Sequence, residues 1–173
     1  MKSPIRRLAS RVYKSCVWRV ALAVSATAPG IAAAALGGLA TAPNIPTWYV
    51  HLSKPWFTPP NGVFGPAWAV LFAIMAYAFW RVLSRAAMTH GRSAAIISHF
   101  VQLGLNALWS FAFFAAHSPP LGLVVIAPLW LAIVVTMVLF WRVDRIAGLC
   151  FVPYLAWVSF ASVLNAAVWL LNR

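Results

Sequence analysis

The sequence predicts an all-α membrane protein: a bundle of five transmembrane helices with a structured, Pro/Trp-rich first loop. Three observations carry that prediction. First, 64% of the 173 residues are hydrophobic and only 8% are charged, against about 25% charged in an average soluble domain. A chain of this size has too few charges to cover such a core in water, so lipid must solvate much of its surface. Second, the apolar residues fall into five runs whose lengths suit a hydrocarbon core of about 30 Å, at about 1.5 Å per helical residue. Third, the cations gather in the short segments between those runs.

Residues 1–19 form a basic N-terminal segment holding Lys2, Arg6, Arg7, Arg11, Lys14 and Arg19. Residues 20–173 form a single five-helix domain. Its first span covers about residues 20–42. Pro29 lies inside it, which a membrane helix tolerates where neighbours satisfy the freed carbonyl. Ala33 with Gly37, and Ala34 with Gly38, are small residues four apart that let a partner helix approach closely. The run exceeds the roughly 7–15-residue core of a cleaved signal peptide, so it is expected to stay with the mature chain. Residues 43–65 form the first loop. The second span, about 66–83, opens at Pro66, and Arg81, Arg85, His90 and Arg92 mark the connection after it. The third span runs over about 94–116 and is broken by His117-Ser118-Pro119-Pro120. The fourth covers about 121–141. Arg142, Asp144 and Arg145 form the next connection, where the chain's one acid is expected in a solvated ion pair. The fifth span covers about 148–171.

Five spans put the chain ends on opposite sides. With the N-terminus inside, the inner segments hold six, three and two Lys/Arg, and the outer side keeps only Lys54 and Arg173. That bias predicts a bacterial cell membrane with the N-terminus cytoplasmic; a basic, acid-poor N-terminus would equally suit a mitochondrial address. Nucleic acid is not the expected partner, because the cations alternate with apolar spans. They face anionic lipid headgroups instead. Cys16 and Cys150 have no metal-like spacing and do not read as a disulfide framework. No His/Cys/acid cluster suggests a metal site.

Trp18, Trp80, Trp141 and Trp169 fall at span ends, where indoles favour the interface. Others need a different account. Trp68 near the outer end of the second span, Trp109 in the third and Trp157 in the fifth converge toward the outer half of the bundle, beneath the loop carrying Trp48 and Trp56. Trp130 is mid-span in the fourth. In the third span Gln102, Asn106, Trp109, Ser110 and Phe113 share a stripe. Its amides need partners inside the bundle or in a cavity, so helix–helix bonding and ligand contact both fit them. Tyr154, Trp157, Ala161, Leu164 and Asn165 repeat the spacing in the fifth span. A cavity lined by indoles with a few amides and a phenol suits a large, flat, amphipathic ligand.

The first loop reads Trp48-Tyr49-Val50-His51-Leu52-Ser53-Lys54-Pro55-Trp56-Phe57-Thr58-Pro59-Pro60, and its prolines restrict the backbone. It is expected to be a structured lid. With the Trp48-Tyr49 pair, Lys54-Pro55, Pro59-Pro60, Phe64-Gly65-Pro66-Ala67-Trp68, Gln102, Asn106, Trp109-Ser110, Phe113-Phe114, Pro153-Tyr154-Leu155-Ala156-Trp157, Phe160-Ala161 and Leu164-Asn165, the chain resembles the TspO/MBR family from about Gly37 to Asn172. The resemblance implies a dimeric five-helix bundle that binds porphyrins, such as protoporphyrin IX and haem-related tetrapyrroles, and other hydrophobic ligands under the first loop. It implies ligand contacts at Tyr49, Pro59, Trp68, Asn106, Trp157 and Ala161, to which the tryptophan and stripe arguments add Trp48, Trp109 and Leu164. Ala166 stands where the family's animal members carry the tyrosine of a sterol motif, so sterol binding by that route is not expected. Phe72 replaces a tyrosine common in the second span.

Three functions follow as expectations. The first is a receptor, sensor or carrier for tetrapyrroles, needing no cofactor beyond porphyrin or haem as ligand. The second is a light- or oxygen-dependent porphyrin-degrading enzyme, in which the resemblance gives Trp68 and Trp157 the chemistry. The third is a transporter of tetrapyrroles or lipids. Charged residues inside the spans would mark an ion path and are not seen, which argues against proton-coupled pumping.

Overall fold

The computed structural model describes residues 4–173, with side chains from Val17 onward. Cys16 and the basic residues Lys2 to Lys14 lie outside those described side chains. Among the described residues every regular element is helical: α1 (Pro4–Thr41), a short 3-10 turn in the first loop (Tyr49–His51), α2 (Asn61–Leu83), α3 (Arg92–Ser110), α4 (Pro119–Val143), α5 (Arg145–Leu149) and α6 (Val152–Leu171). α3 continues into one π-helical turn, Phe111–Ala115. Five segments are long and apolar enough to cross a membrane: Val17–Thr41, Asn61–Leu83, Arg92–Ala115, Pro119–Val143 and Arg145–Leu171. The chain is an integral, multi-pass membrane protein of five spans.

Two boundaries differ from the hydropathy reading. α2 begins at Asn61, not Pro66. Asn61, Gly62 and Gly65 contribute little hydropathy, but a helix needs only backbone hydrogen bonds, and Pro66 is accommodated one turn inside. The fifth span is broken: α5 ends at Leu149, Cys150 and Phe151 turn, and α6 restarts with Pro153 in its first turn. There the missing proline N–H forfeits no helical bond.

α3 packs along α4, α4 along α6, and α1 along both α2 and α3. One end of the bundle is solid. Met75, Phe79, Leu129, Ile133, Phe140, Phe151, Tyr154 and Val158 are buried there with almost no exposure. A second buried cluster at the loop end gathers Tyr49, Phe113, Leu164 and Val168. Trp18, Trp80, Trp141 and Trp169 are exposed at span ends, as the interface argument requires.

Asp144 corrects the expected solvated pair. Its side chain is 2% exposed and turns away from Arg142 and Arg145 toward α2. Arg81 donates from Nε to Oδ1 at 2.9 Å and from Nη2 to Oδ2 at 3.0 Å, and Arg85 also donates to Oδ2. Oδ1 accepts the Ala147 N–H at 3.0 Å, capping α5. Position decides the outcome: an N-cap carboxylate faces its own helix end, and that end lies against α2. The Arg81 guanidinium, helped by Arg85 and the Ala147 amide, holds the carboxyl well below the usual carboxylate range despite burial.

Candidate functional site

Between α1, α2, α3 and α6, at the loop end, lies a cavity of about 740 Å³. α1 supplies mostly small side chains to its wall, among them Gly30, Ala33, Ala34, Gly37 and Gly38, with Ile31 the one large exception. An added Cβ at Gly37 would meet Ser110 Oγ of α3 at 3.1 Å, and one at Gly30 would meet Phe72 at 3.5 Å. The small-residue pattern of α1 thus serves close approach to α3 and, over the rest of its length, width of the cavity.

α2 lines the cavity with Phe64, Trp68 and Phe72, which recur every four residues on one face. That spacing around Trp68 is the signal that would have found Phe64 and Phe72 as wall residues. Trp68 meets Trp157 of α6 edge-on, with ring centroids 6.4 Å apart and planes at 83°. Phe64 also meets Trp157 edge-on, at 6.0 Å. From α3 come Asn106, Trp109 and Ser110, and from the π-helical turn Phe113 and Phe114. α6 adds Trp157, Ala161, Leu164 and Asn165, and Ile45 and Tyr49 close the top.

The polar groups are held in place. Asn106 Nδ2 donates to the buried Tyr154 hydroxyl at 2.9 Å; its Oδ1 has no protein partner among the described residues. Asn165 Oδ1 accepts from Trp109 Nε1 at 3.2 Å, and its Nδ2 donates to the Pro119 carbonyl at 2.8 Å. Gln102, one turn from Asn106, does not reach the cavity. It contacts His99 Nδ1 at 3.3 Å within the solid end, where His99 stacks on Phe79 at 4.2 Å. Of the amides in the third-span stripe, then, Asn106 faces the cavity and Gln102 the core.

The first loop is a structured lid. Tyr49 is buried beneath it, with Lys54 Nζ 4.6 Å from the ring centre, and burial pushes its hydroxyl pKa up. Ser53 and Asn172 exchange two hydrogen bonds of 2.9 Å, tying the lid to the end of α6. On the other side Trp48 stacks on His117 at 4.8 Å, and His117 Nε2 lies 2.8 Å from Asn44 Oδ1.

The structure therefore brings seven of the nine expected ligand-binding residues to one cavity: Tyr49, Trp68, Asn106, Trp109, Trp157, Ala161 and Leu164. It does not bring Trp48 or Pro59. Trp48 is half-buried, edge-on to Phe113 at 5.6 Å and stacked on His117, so it braces the lid from behind the wall that Tyr49 and Phe113 form. Pro59 is half-buried in the lid just before α2. Trp56 is 95% exposed. Trp130 donates to Ser159 Oγ at 2.8 Å and takes no part in the cavity. Among the described residues no three His, Cys, Asp or Glu side chains come together as metal ligands. The arrangement offers aromatic faces and edges around a few fixed amides, a chemistry of stacking and orientation, without an acid–base pair.

A profile described as the TspO/MBR family matches residues 25–170. The chain is 41% identical to the Tryptophan-rich protein TspO of Archaeoglobus fulgidus, over 79% of this chain and 87% of that one. It is 41% identical to Protein CrtK of Rhodobacter capsulatus, over 72% and 78%. It is 32% identical to the Translocator protein of Homo sapiens, over 70% and 73%.

Proposed function

The chain belongs to the TspO/MBR family, and from that premise we propose that it is a membrane receptor, sensor or carrier holding porphyrins and other hydrophobic ligands in the cavity beneath its lid. One observation carries this reading: the cavity is about 740 Å³, within the roughly 300–1,000 Å³ of small-molecule sites, and its α2, α3 and α6 walls are aromatic while Asn106 and Asn165 are amides held in place by hydrogen bonds. Aromatic faces suit a planar macrocycle, and Asn106 Oδ1 and Ser110 suit its polar edge. Titrating purified protein with protoporphyrin IX tests it. Saturable tryptophan quenching with a shifted porphyrin absorbance supports the proposal; no saturable quenching rejects it.

A second reading, light-dependent porphyrin breakdown, is favoured by the edge-on contact of Trp68 and Trp157 at the cavity wall. Two indoles this close to a bound macrocycle would supply oxidisable groups without acid–base machinery. Illumination with protoporphyrin IX followed by mass spectrometry of the extract separates the readings: a new product supports chemistry, intact ligand supports a binder. The eleven-to-two cation count supports a cytoplasmic N-terminus in a bacterial cell membrane. A homodimer is part of the same proposal through family membership, and the exposed apolar residues Ile97, Val101 and Leu108 of α3 fit a partner helix as well as lipid tails.

A further inference from the structure

The chain has thirteen Lys and Arg but one acidic side chain. That acid is committed: both Asp144 oxygens are taken by Arg81, Arg85 and the Ala147 amide. Arg142, two residues earlier at the end of α4, is exposed and has no ion-pair or hydrogen-bond partner among the described residues. With no other acidic side chain in the sequence, an external anion is the counter-charge open to it.

Arg142 also stands at the rim of a groove. A second cavity, about 270 Å³, lies at this end of the bundle on the outer wall, between Met137, Val138 and Trp141 of α4 and Leu149 and Val152 beyond it. It sits beside a very close crossing: an added Cβ at Gly148 would lie 2.7 Å from Trp141 Cα. Apart from Arg142 the lining is apolar, and Val138, Trp141, Leu149 and Val152 are all 42–52% exposed. This wall faces the lipid tails. The groove is smaller than ordinary small-molecule sites, which begin near about 300 Å³, but its shape and lining fit part of an alkyl chain. Trp141 and Arg142 stand where headgroups begin.

We infer that the groove between α4 and the α5–α6 segment is a site for one anionic phospholipid, its acyl chain on Val138, Leu149 and Val152 and its phosphate on Arg142. Zwitterionic lipids fill the same groove with less preference, because their own ammonium offsets the phosphate. This site is separate from the large cavity and does not depend on what that cavity binds.

Native mass spectrometry of the full-length protein in detergent, offered phosphatidylglycerol and phosphatidylcholine in equal amounts, tests the assignment. The wild type should retain phosphatidylglycerol preferentially. Arg142→Gln should lower that preference about fivefold, the factor one interfacial cation contributes. Arg142→Lys should keep most of it. Leu149→Trp, which fills the groove, should reduce retention of the first lipid whatever its headgroup. Arg173→Gln, at the opposite end of α6, should change nothing. An unchanged preference in Arg142→Gln overturns the site, and so does an equal loss in Arg173→Gln, which would show diffuse charge alone.

Discussion

The indole N–H of Trp109 is held at 3.2 Å by Asn165 Oδ1, and Gly122 of α4 stands so near that an added Cβ would fall 2.6 Å from that same oxygen. Three helices therefore set one wall of the cavity, and one of the residues responsible never touches it. Gly122→Ala should push Asn165 off Trp109. We expect about 2 kcal/mol of lost stability, the usual scale for overpacking, and clearly weaker porphyrin quenching. Thermal unfolding and a protoporphyrin IX titration check both. Unchanged affinity with unchanged Trp109 emission would mean the wall tolerates the methyl group.

Trp68 and Trp157 carry the proposed ligand contact. Trp68→Phe and Trp157→Phe keep an aromatic ring but lose area and the indole edge. Each should weaken porphyrin quenching several-fold, and both should suppress any light-dependent product. If binding and product are unaltered in both variants, the ligand lies elsewhere.

Asp144→Asn should cost about 3 kcal/mol at neutral pH, since it breaks a buried pair by removing one partner. The pH dependence follows from the direction of the shift. Folding holds the carboxyl below its unfolded value of about 3.9. The pair's contribution is thus fully present above that pH and is lost as pH falls through the folded value. The stability gap between wild type and Asp144→Asn should stay constant from pH 7 to about 5 and narrow below about 4. Melting curves across that range measure it, and a gap independent of pH down to the acid limit would contradict the pairing.

Asn172→Ala removes both hydrogen bonds to Ser53. At about 1 kcal/mol per bond, discounted for exposure, the lid should open more often and porphyrin should leave about three- to tenfold faster. Stopped-flow displacement reads that rate. An unchanged rate would show that the Trp48–His117 side alone secures the lid.

Hydropathy made the five spans legible, because lipid imposes one requirement on every crossing segment. It also made the tryptophan convergence legible, since topology alone puts Trp68, Trp109 and Trp157 at one level. It did not reveal the partner of Asp144. Arg81 is 63 positions away in sequence, and the arginines nearest along the chain are not the nearest in space. Nor did it separate Asn106 from Gln102: residues four apart share a face in projection, but one meets the cavity and the other the core. Trp48 stands behind the cavity wall for a related reason. Trp48 and Tyr49 both meet Phe113, but only Tyr49 lines the cavity, and composition does not say which of two adjacent aromatics will. The glycines and alanines of α1 form a legible pattern, but only the fold shows that much of their smallness faces the cavity.

The π-helical turn Phe111–Ala115 acts as a phase correction. Neighbours on a regular α-helix point about 100° apart, yet both Phe113 and Phe114 reach the cavity. The wider turn also sets the bearing at which the chain leaves α3 and presents His117 to the lid. Deleting any one residue of the five would restore α-helical pitch and swing His117 away from Trp48 and Asn44. The lid's brace thus depends on the length of this segment as well as on its residues, and a single-codon loss there would uncouple it.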